Sequence, residues 1–388
     1  MDAPALSVPT ATSRARAFAW PLAVIATTIT WLAVTYGRLF ERQVIASYAE
    51  DFWPRAWLLH GLIHWDALWY VRIAEEGYSY TPGVMSPVAF FPGYPLAVRF
   101  VSWALNVHPY LGGVVVSSVC GVLAVMLFHA WARAVAGPER AVPATWAIVV
   151  YPYAFYLFGV MYPEAFFLTL VLATFLCLEK GHTGWAALFG ALTTFTRPVA
   201  PAVLLGLLVR HWELKRQRGE KLGPRDAVLL FAGAGMAAYV GYQWWAFGEP
   251  LAFAKVQSAP GWDHVPGWST WLKEWWFIAM TGNGKASIKL QFLMHGLAAM
   301  VPLALAWPMR RKLGLGYAVY VAGVIGIPAF AMKDFWGMGR YALAAFPCFL
   351  YVSLALETRP KVRRWLAVAS GVGFCLLAVN FGRGAWVA

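Results

Sequence analysis

An isolated carboxylate among aromatic residues is the first feature of this sequence that could carry out chemistry. The stretch HWDALWYVRIAEEGY (64–78) sets Asp66 beside tryptophans in a mostly apolar part of the chain. If the stretch is helical, Asp66 and Tyr70 share one face, whereas Trp69 and Arg72 share another. Because tryptophan favours the membrane interface, the acid can point into a cleft and accept a proton from a hydroxyl. The alternative is that Asp66 is solvated or paired with Arg72.

The composition indicates an integral membrane protein. Of the 388 residues, 60% are hydrophobic and 13% are charged, whereas a soluble domain carries about a quarter charged residues. Apolar runs of 18 or more residues recur, and each is long enough to cross a bilayer. Since a segment inside lipid must satisfy its own backbone hydrogen bonds, we predict an all-α polytopic protein.

The basic residues indicate membrane lipid, and not nucleic acid, as the partner of the positive charge. The net charge of +13 falls in short clusters between apolar segments, at 210–221, 309–312 and 359–364. This pattern marks the cytoplasmic side of a membrane protein. Arg14 and Arg16, before the first apolar run, place the N-terminus on the same side.

The order of apolar and polar segments predicts a single integral domain over 1–388. We expect about ten or eleven transmembrane helices, some of them broken or re-entrant. Residues 37–108 form a first outer loop with an interfacial helix near 90–105, and residues 248–286 form a second. Arg197 and the proline after it interrupt an apolar run, which predicts two short helices that meet near the outer side. A single kinked span is the simpler alternative.

The first outer loop resembles that of the PIG-V mannosyltransferases. That family has a Trp-Asp-Ala opening, an Ile-Ala-x-x-Gly-Tyr middle and a Phe-Phe-Pro-x-x-Pro close. The three elements occur here in the same order, at Trp65–Ala67, Ile73–Tyr78 and Phe90–Pro95.

Three later segments resemble the same family less sharply. YPEAFF (162–167) is similar to its Tyr-Ser-Glu-Ala-Leu-Phe, with Pro163 in place of serine. TFTRPVAP (194–201) is similar to its Gly-x-Arg-x-x-Gly region, and GRYALAAFP (339–347) to its late Arg-Phe/Tyr segment. The resemblance implies a GT-C-type glycosyltransferase that takes a sugar from a polyprenyl phosphate on the non-cytoplasmic side. It also implies inversion of the anomeric carbon, with an acidic residue of the first outer loop as the base.

The chemistry of such a transfer assigns roles to a few charged residues. Asp66 is the candidate general base, because inversion needs one carboxylate to take the acceptor's proton. Arg197, Arg340 and Lys333 are the candidates to hold the donor phosphate, which leaves with negative charge and needs cations around it. Arg197 has an alternative role in a helix–helix salt bridge, Arg340 as an interface anchor and Lys333 in a loop pair.

A second group of residues is expected to contact the substrates. Glu164 can bind sugar hydroxyls, although it is an equally good structural partner for Arg197. His64 can orient the acceptor or the base, and Tyr70 and Tyr341 lie in the matching motifs. No His/Asp cluster has metal-ligand spacing, so we expect no obligatory metal or other cofactor, with a divalent ion left open.

The sequence therefore predicts an inverting mannosyltransferase whose acceptor is a lipid-linked or other glycan. A secondary transporter or a non-catalytic assembly subunit is the alternative, but a transporter favours paired repeats, and none is found here. The Ala-, Arg- and Val-rich composition suggests a bacterium, and therefore its inner membrane. The charge pattern and the resemblance imply a site on the outer face of that membrane.

Overall fold

The computed structural model describes residues 18–40 and 57–387, with side chains from residue 59 in the second range. Arg14, Arg16 and residues 41–56 of the predicted first outer loop lie outside the described residues. The N-terminal half consists of helices of 10 to 28 residues, which are α1 (Ala19–Arg38), α2 (Ala67–Glu76), α3 (Gly93–Leu105), α4 (Pro109–Ala136), α5 (Pro138–Val149), α6 (Glu164–Glu179), α7 (Thr183–Thr194) and α8 (Ala200–Gln217).

The C-terminal half is also helical, and no strand occurs in the described ranges. Its helices are α9 (Ala234–Phe247), α10 (Glu274–Thr281), α11 (Ala286–Met309), α12 (Leu315–Ala331), α13 (Met338–Tyr341), α14 (Pro347–Ala355) and α15 (Pro360–Gly382). Single turns and 3-10 helices connect them, at Trp57–His60, Pro87–Ala89, Ala154–Leu157, Pro224–Gly233, Ala252–Lys255, Val256–Ser258, Trp268–Trp271 and Ala342–Ala344.

Four of the described helices, α1, α4, α11 and α15, are long and apolar enough to cross a membrane. The pair Met338–Ala344 and Pro347–Ala355 is bent by 84° and would add a fifth span if it counts as one. The other predicted spans coincide with helices that are shorter, broken or more charged. An all-helical integral membrane fold is confirmed, whereas the number of ten or eleven spans stays a prediction.

The helices α7 and α8 are separate, with a break at residues 195–199. The break leaves the Phe195 carbonyl without a helical partner, and it accepts a hydrogen bond from the Gly93 N–H at 2.9 Å. A Cβ on Gly93 would lie 2.5 Å from Thr196 Oγ1, so glycine is needed for this close approach. The contact joins the Phe-Phe-Pro motif of the first loop to the segment that carries Arg197.

The first and last long helices pack backbone to backbone. A Cβ on Gly37 in α1 would lie 2.1 Å from the Val379 carbonyl, and one on Gly382 in α15 would lie 2.1 Å from the Val34 carbonyl. Small residues on both sides allow this approach, as is common between membrane helices. The packing brings the segment after α15 to the first outer loop.

Candidate active site

Asp66 lies at the start of α2, in a turn that is held by aromatic side chains. The residue before it, Trp65, has a left-handed backbone with φ 56°, a conformation that is strained for a bulky residue. Its ring stacks on Trp386 with centroids 5.2 Å apart. The Asp66 N–H donates to the Tyr162 hydroxyl at 3.2 Å, and that hydroxyl donates to the His64 carbonyl at 3.2 Å. These contacts fix the direction in which the carboxylate leaves the backbone.

The Asp66 carboxylate makes no capping bond to α2 and instead meets Arg340. Arg340 Nη2 lies 2.8 Å from Asp66 Oδ2, and its Nη1 lies 3.2 Å from Glu164 Oε1. The Asp66 side chain is 30% exposed, whereas that of Arg340 is 9% exposed. One guanidinium therefore joins a solvent-accessible acid to a buried one.

Glu164 is the first residue of α6 and is 2% exposed. A carboxylate at this position is favoured by the helix dipole. Its Oε1 also accepts a hydrogen bond from Arg197 Nη2, so two guanidinium groups share one carboxylate oxygen. Glu164 Oε2 is buried and has no hydrogen-bond partner. The ion pair with Arg197, left open by the sequence, is present.

The ring of Tyr341 contacts both guanidinium groups. The Arg340 Cζ lies 4.8 Å from the Tyr341 ring centroid, and the Arg197 Cζ lies 4.9 Å from it. The negative face of an aromatic ring stabilises a cation at this range. With Asp66 and Glu164, the two arginines form a cluster whose formal charges cancel.

The backbone before Arg340 is held from three sides. The Gly339 N–H donates to His295 Nδ1 at 3.2 Å, and the Tyr151 hydroxyl donates to the Gly339 carbonyl at 3.0 Å. A Cβ on Gly339 would lie 2.3–2.6 Å from the ring of Tyr153. These contacts position the guanidinium through the backbone.

Two of the other predicted residues lie in the walls of the site. Tyr70 is buried, and its ring packs edge-on against those of Phe90, Tyr94 and Tyr162. His64 is also buried, with its ring against Phe381. Burial is the main cause that lowers the pKa of His64 to about 4, and nearby positive charge adds to it, so the ring is neutral at pH 7. Their contact with substrate stays a prediction.

Lys333 belongs to a different group of contacts. Its Nζ lies 3.2 Å from Asp263 Oδ2, and its backbone N–H donates to His264 Nδ1 at 3.2 Å. The alternative that the sequence offered for Lys333 was a solvated loop pair with Asp334, whereas the structure pairs Lys333 with Asp263 of the second outer loop. Beside it, the buried Lys273 Nζ donates to the Thr270 carbonyl at 2.9 Å and to the Met332 carbonyl. The structure thus brings Asp66, Glu164, Arg197, Arg340 and Tyr341 together, with Lys333 outside the cluster.

Sequence reasoning missed three residues that position this cluster, Tyr162, Tyr151 and His295. Tyr162 carried a signal, since it lies two residues before Glu164 in the recognised segment. The other two had none, because each acts on the backbone of a residue far away in the chain. Within 18–40 and 57–387, no group of three or more His, Cys, Asp or Glu side chains could hold a metal ion.

Comparison with known proteins supports this view of the fold and family. The family model described as Mannosyltransferase (PIG-V) matches residues 23–207, a little under half of the chain. The resemblance read from residues 64–98 is thereby confirmed, since these residues lie inside the matched range. The late segment 339–347, which contains Arg340, lies beyond the matched residues. None of the curated proteins compared with the chain matches it.

An oligosaccharyltransferase and ArnT are among the solved structures that are similar to this chain. The apo oligosaccharyltransferase of Archaeoglobus fulgidus has a TM-score of 0.51 and 13% identity, with 95% of this chain and 56% of that chain covered. ArnT from Cupriavidus metallidurans, bound to undecaprenyl phosphate, has a TM-score of 0.51 and 12% identity, with 87% and 59% covered. The chain thus spans somewhat over half the length of these proteins. At this identity the likeness shows the fold, which is of the GT-C type.

Proposed function

We propose that this protein is an inverting glycosyltransferase that moves mannose from a polyprenyl-phosphate donor to a lipid-linked or other glycan acceptor. The observation that carries the proposal is the contact of Asp66 with Arg340, which Glu164 connects to Arg197. An accessible carboxylate and two guanidinium groups are the parts that an inverting transfer from a sugar phosphate requires.

Donor binding would change the partner of Arg340. In the described state the Arg340 guanidinium pairs with Asp66 at 2.8 Å, so the carboxylate oxygen that would meet the acceptor hydroxyl is occupied by a hydrogen bond. A phosphate that enters beside Arg197 and Arg340 would compete for the guanidinium with bidentate geometry. Asp66 would then lose this partner, and its carboxylate would be free to accept a hydrogen bond from the acceptor hydroxyl.

The transfer step follows from these positions. The acceptor hydroxyl gives its proton to an oxygen of Asp66, and its oxygen forms a bond to the anomeric carbon from the face opposite the phosphate. The bond from that carbon to the phosphate oxygen breaks, and the electron pair stays on the phosphate. The products are the inverted glycoside and polyprenyl phosphate, whose added charge Arg197 and Arg340 stabilise.

The identity of the donor rests on similarity to known proteins, and the side of the membrane rests on the charge pattern of the sequence. The matched family is described as a mannosyltransferase, and a protein with the same fold holds undecaprenyl phosphate. The basic clusters at 210–221, 309–312 and 359–364 support a site on the non-cytoplasmic face of a bacterial inner membrane.

Metal is not required in this proposal, because the two arginines supply the positive charge that a divalent ion would otherwise provide. Treatment with a chelator should then leave the transfer rate unchanged. A rate that falls with chelation and returns with Mg²⁺ or Mn²⁺ would contradict this part of the proposal alone.

The test is transfer by the purified full chain in vesicles that contain radiolabelled polyprenyl-phosphate mannose and extracted membrane lipids. Label that moves to a second lipid or glycan supports the enzyme. Label that crosses the bilayer while still attached to the polyprenyl phosphate supports the transporter alternative, and no movement of label supports the assembly subunit.

A further inference from the structure

A long apolar groove lies between the helices α5, α11, α14 and α15, outside the contacts of the Asp66–Arg340 cluster. It has a volume of about 920 Å³, near the upper end of the about 300–1,000 Å³ range of ligand pockets. Its walls are apolar side chains such as Trp146, Leu305, Phe349 and Leu366. Apolar walls of this kind suit hydrocarbon.

The two ends of the groove differ in charge. One end is lined by Tyr151, Tyr153 and Ala342, next to the backbone that carries Arg340. The other end is lined by Arg363 and Arg364. Among the described residues, neither of these arginines forms an ion pair or a side-chain hydrogen bond. Two free guanidinium groups at the mouth of an apolar groove complement a molecule with an anionic head and a hydrocarbon tail.

The length of the groove matches one leaflet of a bilayer. Its lining along α15 runs from Pro360 to Ser370, which is about 15 Å at 1.5 Å per residue. Half of a hydrocarbon core of about 30 Å has the same depth. The basic end belongs to the 359–364 cluster, which the charge pattern assigns to the cytoplasmic side, where anionic lipids are concentrated.

We propose that this groove is a binding site for one anionic phospholipid. Its acyl chain lies between α5, α11, α14 and α15, and its phosphate contacts Arg363 and Arg364. The donor phosphate proposed above lies at the opposite end, beside Arg340, so a donor chain in this groove would leave the two arginines without an anion. An anionic phospholipid satisfies the tail and the head of the site together.

Native mass spectrometry of the full chain, released from nanodiscs of phosphatidylglycerol and phosphatidylcholine in equal amounts, tests this proposal. The wild type should retain one phosphatidylglycerol in preference to phosphatidylcholine. The double variant Arg363→Gln/Arg364→Gln should lose about thirtyfold of that preference, since each basic residue near the phosphate contributes about fivefold in affinity and the two contributions multiply. The variant Arg216→Gln/Arg218→Gln, which changes another basic cluster, should retain the wild-type preference.

A substitution that fills the groove tests the contribution of the acyl chain separately from that of the phosphate. Ala367 lines the wall, and Ala367→Phe should reduce the retention of both lipids while the protein stays folded by gel filtration. Equal retention of both lipids by wild type and all variants would show bulk lipid only and overturn the proposal. Displacement of the retained phospholipid by one equivalent of polyprenyl phosphate would also overturn it, because the groove would then belong to the donor chain.

Discussion

Replacing Asp66 with asparagine removes one negative charge and leaves the outline of the side chain almost unchanged. In the wild type, Arg340 Nη2 lies 2.8 Å from the Asp66 carboxylate, and the amide oxygen of asparagine can still accept this hydrogen bond. Because the Asp66 side chain is 30% exposed, water screens the ion pair, and we expect its loss to lower stability by no more than about 1 kcal/mol. The amide cannot accept a proton at neutral pH, so the transfer rate should fall by about 10²–10⁴-fold.

The affinity for the donor should change in the opposite direction. In the wild type, Asp66 competes with the donor phosphate for Arg340, and asparagine removes that competitor. The Asp66→Asn protein should therefore bind the donor at least as tightly as the wild type while its kcat falls. Initial rates of labelled mannose transfer, measured over a range of donor concentrations, give kcat and KM separately.

The control is Glu76→Gln on the same helix. Glu76 also pairs with an arginine, Arg72, at 2.9 Å, but both side chains are exposed, so this change from carboxylate to amide should leave kcat and KM unaltered. Wild-type kcat in the Asp66→Asn protein would refute the role of Asp66 as base. A loss of donor binding without a loss of kcat would assign Asp66 to the donor site instead.

Three further substitutions probe the support of the site. Glu164→Ala leaves two buried guanidinium groups without their shared carboxylate and should cost about 3–5 kcal/mol in detergent unfolding experiments; unchanged stability would refute the argument. Gly339→Ala drives a methyl group into Tyr153 and should cost about 1–3 kcal/mol, which the added change Tyr153→Leu should partly restore. Burial lowers the pKa of Lys273 from 10.5 to about 8, against the opposing charge of Asp334. Between these values the unfolded chain binds more protons, so stability should rise with pH in the wild type, and Lys273→Met should abolish the rise.

The residues of the site were predictable to different extents, for physical reasons. Asp66 could be found because its motif is local and acids are rare among tryptophans. The Glu164–Arg197 pair could be anticipated because a charge inside an apolar segment needs a partner. The contact of Asp66 with Arg340 could not, because it joins residues 274 positions apart and no local pattern indicates which distant cation meets the acid.

The fold shows the same division between local and distant information. The break at 195–199 follows from Pro198, which cannot continue a helical hydrogen-bond ladder. The hydrogen bond that satisfies the broken end comes from Gly93 in another segment, and nothing in the local pattern indicates it. Lys333 was grouped with the arginines from its place in the chain, whereas its ion pair is with Asp263.

Trp386 contacts the turns that precede both partners of the central ion pair. It stacks on Trp65, one residue before Asp66, and its ring meets that of Trp336 edge-on at 5.8 Å. A single indole thus links two turns that are otherwise far apart in the chain. Double-mutant cycles between substitutions of Trp65 and Trp336 should therefore give a coupling energy different from zero, and that energy should disappear when Trp386 is alanine.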